Sequence, residues 1–436
     1  MNYETVSIKK LGDSNIVSPL QGKRWVKFVT GDDSIISSVS LKNLSGELEK
    51  GGARFFESAG PREKIYFNPQ NLKCGIVSCG GLCPGINDII RELVVGLCQA
   101  YGVKDIDGFR YGYRGLANAD EIEPMKLNPE VVDSIHRDGG SILSSSRGPQ
   151  DIDRMVDVLK KRKIDILFAI GGDGTMRGAH QIALRVRERG LNIAVLAVPK
   201  TIDNDISYVN KSFGFETAVQ ASADIIDSAH TESKGAPKCI GLVKLMGRSS
   251  GFIAAYATLA NRNVNYCLIP EVPFSLEGSG GLLAVLKKRL EKKQHAVIVV
   301  AEGAGQHLME SKDSGAKKDK SGNVKLKDIG FFLKNEITNY FTGEGLEINI
   351  KYFNPSYIIR SIPANAMDSE YCVHLAQNTV HAAMSGRTDM LISSWNSRYV
   401  HVPIPMAVEK RKTVNPAARL WRTVMGATHQ PVSIFK

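Results

Sequence analysis

No apolar run in this chain approaches the ~20 residues of a membrane-spanning helix, so no membrane partner is expected. Cysteine is scarce: seven residues, an odd and scattered set, which argues against a disulfide framework and for a reducing compartment. Cys79 and Cys83 stand four apart, yet no second pair and no histidine joins them at zinc-site spacing; buried inert thiols are the expectation. Aromatic residues make up only 7%, and no zinc finger, RNA-binding signature or aromatic–basic interleaving occurs, which removes nucleic acid as the expected partner. The opening residues lack a basic segment followed by an apolar one, so no leader is expected and the cytoplasm is the expected location.

What is present fits a globular enzyme. The 436 residues suffice for two or three domains, and 43% hydrophobic with 23% charged residues is an ordinary globular balance. The net charge of +11 points to anionic partners. Much of that excess sits in runs such as Lys287-Lys288-Arg289, Lys292-Lys293 and Lys317-Lys318, which read as solvated faces, as does Lys410-Arg411-Lys412. Small phosphorylated substrates fit the charge better than a polyanion.

The chain is organised around Ile164 to Ile170, apolar but for Asp165, running straight into Gly171-Gly172-Asp173-Gly174-Thr175. This reads as a strand buried on both faces, a glycine turn, and a helix with apolar spacing from Met176 to Arg189. Strand, glycine turn and helix aim backbone N–H groups at an anion. A carboxylate there, Asp173, repels a polyphosphate unless Mg²⁺ sits between them. A second such turn, Gly80-Gly81-Leu82-Cys83-Pro84-Gly85, follows a strand at Cys74 to Cys79 and precedes a helix from about Asn87 to Tyr101. Arg147 ends a run of small residues and suits a phosphoryl clamp.

An apolar strand from Ile193 to Val198 ends in Pro199-Lys200-Thr201-Ile202-Asp203-Asn204-Asp205. Two carboxylates two apart, flanked by Lys and Thr, read as a metal site, a general base or an Asx-rich turn. Loops at the carboxyl ends of parallel strands open into a shared crevice, which brings a base at Asp203 into consideration beside Asp173. A strand from Lys238 to Leu245 leads to Met246-Gly247-Arg248-Ser249-Ser250-Gly251. Residues 247 to 251 spell Gly-x-Ser-x-Gly, so a hydrolase with Ser249 as nucleophile and His295, His307, His374 or His381 as base is a rival. It leaves the Gly171 turn and the Asp203 loop unexplained. Further strands are expected at Tyr266 to Pro270 and His295 to Ala301, helices at Phe331 to Phe341 and Ala366 to Met384, and a strand-like stretch from Lys351 to Arg360. Residues 1 to about 70, with strand-like alternation at Arg24 to Val29 and Ser34 to Leu41, read as an N-terminal extension, and 310 to 327 as a surface insertion.

Together these motifs resemble the phosphofructokinase family over roughly residues 72 to 408. The anchors are Gly80 to Gly85, Gly171 to Thr175, Pro199 to Asp205, Met246-Gly247-Arg248 and Tyr357-Ile358-Ile359-Arg360, five in order. The extension and the insertion resemble the long subgroup related to pyrophosphate-using members. The resemblance implies an α/β fold: two Rossmann-like three-layer lobes with the active site in the cleft, a nucleotide lobe at about 71–210, a sugar-phosphate lobe at about 211–400, and a C-terminal segment from 401 that packs back on the body.

It also implies roles. Asp203 would be the base for the 1-hydroxyl of fructose 6-phosphate, with Thr201, Asp205 and Lys200 beside it. Asp173 would hold Mg²⁺. Gly81 and Arg147 would contact the transferred phosphoryl group, and Tyr113, Gly172, Gly174, Thr175 and Gly178 would lie near ATP. Met246, Gly247, Arg248 and Glu302 would line the sugar. Tyr357 and Arg360 would bind the 6-phosphate, with Lys351 reaching in from a neighbour in a homodimer or homotetramer. Pyrophosphate-using relatives carry Asp where this chain has Gly174, which favours ATP, whereas Lys200 is their residue type. Lipid and NAD kinases share Gly-Gly-Asp-Gly-Thr but not the later motifs. A non-catalytic sugar-phosphate-binding paralogue would be expected to have lost Asp203 or Asp173.

Overall fold

The structure is a computed structural model that describes residues 4–31, 33–40, 44–46, 54–309 and 324–435. The chain divides into two compact units that interleave in sequence. The first holds Met1–Thr201, Ile206–Gly214 and Ser361–Lys410; the second holds Ile202–Asp205, Phe215–Arg360 and Arg411–Lys436. The linear division at about 210 and 400 therefore differs from the fold. Residues 361 to 400 return to the first unit because the strand Met390–Trp395 pairs in parallel with Ala194–Pro199, and the helix Ala366–Met384 packs on that strand and on the helix Ile86–Val95.

The first unit is built on a seven-stranded sheet in the order Arg398–Pro403, Met390–Trp395, Ala194–Pro199, Ile166–Gly171, Lys73–Ser78, Asp105–Phe109, Met125–Lys126. The five inner strands are parallel and the two edge strands antiparallel. Every residue of Ile166–Gly171 and Ala194–Pro199 is buried, as a continuous apolar run on a two-sided sheet requires. The first of these starts two residues later than the apolar run, because Asp165 turns its carboxylate back to the Lys73 N–H at 2.9 Å. Strand order reverses beside Lys73–Ser78, with Asp105–Phe109 on one side and Ile166–Gly171 on the other. Ligands of open α/β sheets bind outside the carboxyl ends at such a switch point. The two glycine turns stand there.

The second unit has four parallel strands in the order Tyr266–Leu268, His295–Ala301, Cys239–Leu245, Asn349–Phe353. Helices Phe215–Lys234, Phe252–Asn261, Leu282–Lys293 and Ile329–Gly343 belong to this unit. Its core joins Ile240, Leu242, Leu268, Leu286, Ile298 and Leu333.

Three stretches differ from their sequence patterns; of the described residues from Ser34 to Leu41, only Ser34–Ile36 is a strand. Arg24 to Val29 forms no strand; at its end Arg62 Nη1 donates to the Val29 carbonyl at 2.8 Å and to the following Thr30 carbonyl at 2.7 Å. The stretch from Lys351 is a strand only to Phe353 and becomes a helical turn at Ile358–Ser361. Most of the 310–327 insertion lies outside the described residues, as does Leu41.

Candidate active site

In the first unit the strand Ile166–Gly171 ends where the helix Asp173–Glu188 begins, with Gly172 as its N-cap. The turn is tight because Thr175 folds back over Gly171: a Cβ added at Gly171 would lie 2.2 Å from Thr175 Oγ1. Tyr113 supports the same turn. Its hydroxyl donates to the Thr175 carbonyl at 2.7 Å, and its ring fills the space where a Gly178 Cβ would sit, 2.6 Å from Cε2. Buried Tyr113 and Gly178 thus have visible packing roles. Gly174 differs: a Cβ there meets no atom within 4 Å.

Asp173 is the first residue of that helix, where the macrodipole favours a carboxylate. Arg177 Nε donates to its Oδ2 at 3.2 Å, and Arg177 also reaches the Val408 carbonyl. No group of three or more His, Cys, Asp or Glu among the described residues could hold a metal alone. A lone carboxylate does fit Mg²⁺, which keeps waters and takes its other ligands from substrate phosphates. The neighbouring turn carries Gly80 at φ +90°, and the Gly80 N–H donates to the Ser146 carbonyl at 3.0 Å. Lys200 is buried and its Nζ donates to the Gly81 carbonyl at 2.6 Å, so it ties the two strand ends together. Thr201 follows it, its carbonyl accepting from Ser212 Oγ at 2.6 Å. Arg147 is exposed after Ser144, whose φ is +54°.

The second unit carries the carboxylates. Asp203 and Asp205 flank Asn204, which is buried and left-handed at φ +54°. Ser250 Oγ donates to the Asp203 carbonyl at 3.0 Å. Burial, the Asp205 carboxylate and Glu302 push the Asp203 carboxyl well above the usual range, while the Arg248 backbone and the Arg411 charge oppose them. A carboxyl so perturbed in a loop is suited to take a proton near neutral pH. The residues after Leu245 and those after Ala301 share one edge: Glu302 N–H donates to the Leu245 carbonyl at 2.9 Å and Gly303 N–H to the Gly247 carbonyl at 3.1 Å. Gly247 has φ +132°, and a Cβ there would lie 2.5 Å from the Ser250 carbonyl. Met246 and Arg248 flank it, and Arg248 reaches the Val324 carbonyl. Burial also raises the Glu302 carboxyl, against the charges of Arg248, Lys244 and Arg360. The Arg360 guanidinium lies 4.7 Å over the Tyr357 ring, and that ring is 75% exposed. Lys351 Nζ stands 3.9 Å from Glu232.

The run Lys410-Arg411-Lys412 is not simply solvated. Lys412 N–H donates to the Asp205 carbonyl at 2.8 Å and Lys412 Nζ to Asn204 Oδ1 at 3.0 Å. Arg411 Nη1 lies 3.5 Å from Asp205 Oδ2 and donates to Ser249 Oγ at 3.2 Å. Sequence spacing gives no signal for a contact across two hundred residues; the charge itself was the visible feature. The same contact removes the support for Ser249 as a nucleophile, since its partner is a guanidinium. His295 and His307 instead contact the Lys293 and Phe274 carbonyls, His374 pairs with Glu370, and His381 bonds Tyr101.

The phosphofructokinase family model matches residues 73–383. This chain belongs to the phosphofructokinase family. Similar curated relatives include the ATP-dependent 6-phosphofructokinase of Borreliella burgdorferi, 50% identical over 384 residues, with 87% of this chain and 86% of the relative covered. The ATP-dependent 6-phosphofructokinase of Amycolatopsis methanolica is 46% identical over 441 residues, covering 99% and 96%. Among solved structures, a pyrophosphate-dependent phosphofructokinase from Marinobacter aquaeolei superposes with a TM-score of 0.67 at 17% identity, covering 82% of this chain and 91% of that one. At that identity the likeness speaks for the phosphofructokinase fold alone. No helix among the described residues is long and apolar enough to cross a membrane.

Proposed function

We propose that this phosphofructokinase transfers the γ-phosphoryl group of ATP to the 1-hydroxyl of fructose 6-phosphate, giving fructose 1,6-bisphosphate and ADP. The observation that carries the donor is the open space at Gly174, one residue after Asp173 at the helix start. A carboxylate there would repel an α-phosphate; glycine leaves room for it. The ATP-dependent relatives at 46–50% identity support the same reading.

On this reading the first unit handles the donor. The helix start and glycine turns offer N–H groups to phosphate oxygens. Gly81 and Arg147 contact the transferred group, and Asp173 holds Mg²⁺. The metal, when bound, neutralises charge on the phosphates. Lys200 acts through the Gly81 carbonyl it holds. Tyr113 and Gly178 act by shaping the Thr175 turn that faces the nucleotide. The second unit handles the sugar. Asp203 removes the proton from the 1-hydroxyl as that oxygen bonds to phosphorus and the bond to ADP breaks. Asp205 and Thr201 position the loop. Met246, Gly247, Arg248 and Glu302 line the sugar, and Tyr357 and Arg360 bind the 6-phosphate. Lys351, half exposed, serves a neighbouring subunit in a homodimer or homotetramer. Seven free thiols accord with the cytoplasm.

The test is an assay with fructose 6-phosphate and Mg²⁺, with ATP in one cell and pyrophosphate in the other. Turnover with ATP alone is expected. Turnover with pyrophosphate alone would mean that Lys200 outweighs Gly174. Silence with both donors would favour the non-catalytic paralogue.

A further inference from the structure

The base loop of the second unit is held by a segment more than two hundred residues downstream. From Arg411 to Val414, successive groups contact two loops. Arg411 places its guanidinium between the Asp205 carboxylate, at 3.5 Å, and the Ser249 hydroxyl, to which it donates at 3.2 Å. Lys412 contributes its N–H to the Asp205 carbonyl and its ammonium to Asn204, and lies 5.2 Å over the Phe252 ring. Val414 N–H donates to Glu271 Oε1 at 2.7 Å, and the same carboxylate accepts from Gly251 N–H at 3.0 Å. One short strap therefore joins the loop of the base to the loop of Gly247 and Arg248.

We propose that Arg411 is a positioning residue for phosphoryl transfer, fixing the Asp203–Asp205 loop against the sugar loop and placing a cation beside its carboxylates. The inference rests on the proposed reaction and deepens it. The groups facing Asp203 are Asp205, Glu302, Arg248 and Arg411, with Lys412 beyond them on Asn204. Two carboxylates there disfavour a third charge, and Arg411 is a cation that offsets them. Without it the base is protonated over a wider range of pH. The loop also loses its tie to Ser249, and a misplacement of about 1 Å can cost ~10²-fold in rate.

The experiment compares wild type, Arg411→Gln, Arg411→Lys and Lys410→Ala in steady-state assays with ATP and fructose 6-phosphate across pH. R411Q is expected to lose roughly 10²-fold in kcat, to keep its KM for ATP, and to move the acid limb of kcat/KM to higher pH. R411K is expected to return the acid limb towards wild type while recovering only part of kcat. Lys410, exposed, is the neighbouring control and is expected to be neutral. An R411Q enzyme with wild-type kcat and pH profile overturns the inference. So does a loss of kcat with an unmoved acid limb, which would mark a merely structural role. If R411Q does not fold, the similarly long but uncharged Arg411→Met takes its place and is read by the same two criteria. A wild-type enzyme silent with both substrates would instead sink the reaction itself, a separate result.

Discussion

At the scale of single residues the contrast between Gly174 and Asp203 is the most informative. Gly174 faces empty space, so Gly174→Asp should fold normally while placing a negative charge by the donor. We expect its KM for ATP to rise at least about tenfold, the equivalent of ~1.4 kcal/mol, with an unchanged thermal midpoint. Asp203 is the opposite case, a carboxyl whose surroundings raise it well above the usual range. Asp203→Asn should lower kcat by roughly 10²–10⁴-fold, the usual worth of a general base. Because the base must be ionised, the wild-type rate should rise with pH through that raised value. An acid limb near pH 4, that of an ordinary carboxylate, would contradict the assignment.

At the scale of elements, the strand–turn–helix around Gly171 is defined by what the glycines leave out. Thr175 closes on Gly171, and Tyr113 occupies the place of a Gly178 side chain. Gly171→Ala should cost about 1–3 kcal/mol through overpacking, seen as a lower thermal midpoint with reduced activity. Gly174→Ala, on the same turn, should leave the midpoint level or raise it, since alanine favours a helix and meets nothing there. Equal losses in the two variants would refute this account of the turn. The thiols nearby are inert by the same packing: burial pushes Cys79 up to about 12, and Cys83 bonds the Phe213 carbonyl at 3.2 Å.

At the scale of the whole molecule, a buried charge cluster in the first unit ties the N-terminal extension to the strands near 390–403. Glu57 bonds Arg387, Arg62 and His401. Burial pushes the Glu57 carboxyl up, but His401 and Arg387 outweigh it and hold it well below its ordinary range. Burial lowers fully buried His401 to about 4 despite Glu57, and lowers His381 to about 4. Each histidine is thus depressed in the folded chain. As pH falls below ~6.5 the unfolded chain takes up protons first. Stability is then lost down to about pH 4, on the order of 3 kcal/mol for His401. Below the ordinary carboxylate value the unfolded chain also protonates Glu57 first, which adds to the loss. The thermal midpoint should therefore drop between pH 6.5 and 4, and His401→Gln should flatten that drop. An equally steep drop in the variant would place the acid sensitivity elsewhere.

Much of this was legible in one dimension. Buried parallel strands are continuous apolar runs, so His295–Ala301 and the helix Ala366–Met384 matched their patterns residue for residue. The strand–turn–helix at Gly171 was legible because an apolar run passes straight into glycines and then a helical repeat. The strand expected at Arg24 to Val29 did not form: alternation supplies no partner strand, and the Val29 carbonyl goes to a distant side chain, Arg62. The run at 410–412 read as solvated because charge alone does not reveal what it faces. The sequence by itself determined the kinds of element and the residue types each loop presents, since periodicity and turn chemistry are local. Only the tertiary structure decided that residues 361–410 return to the first unit, that Tyr113 supports the Thr175 turn, and that Arg411 stands at the Asp203–Asp205 loop. Such pairings depend on strand order and long-range packing, which no local spacing encodes.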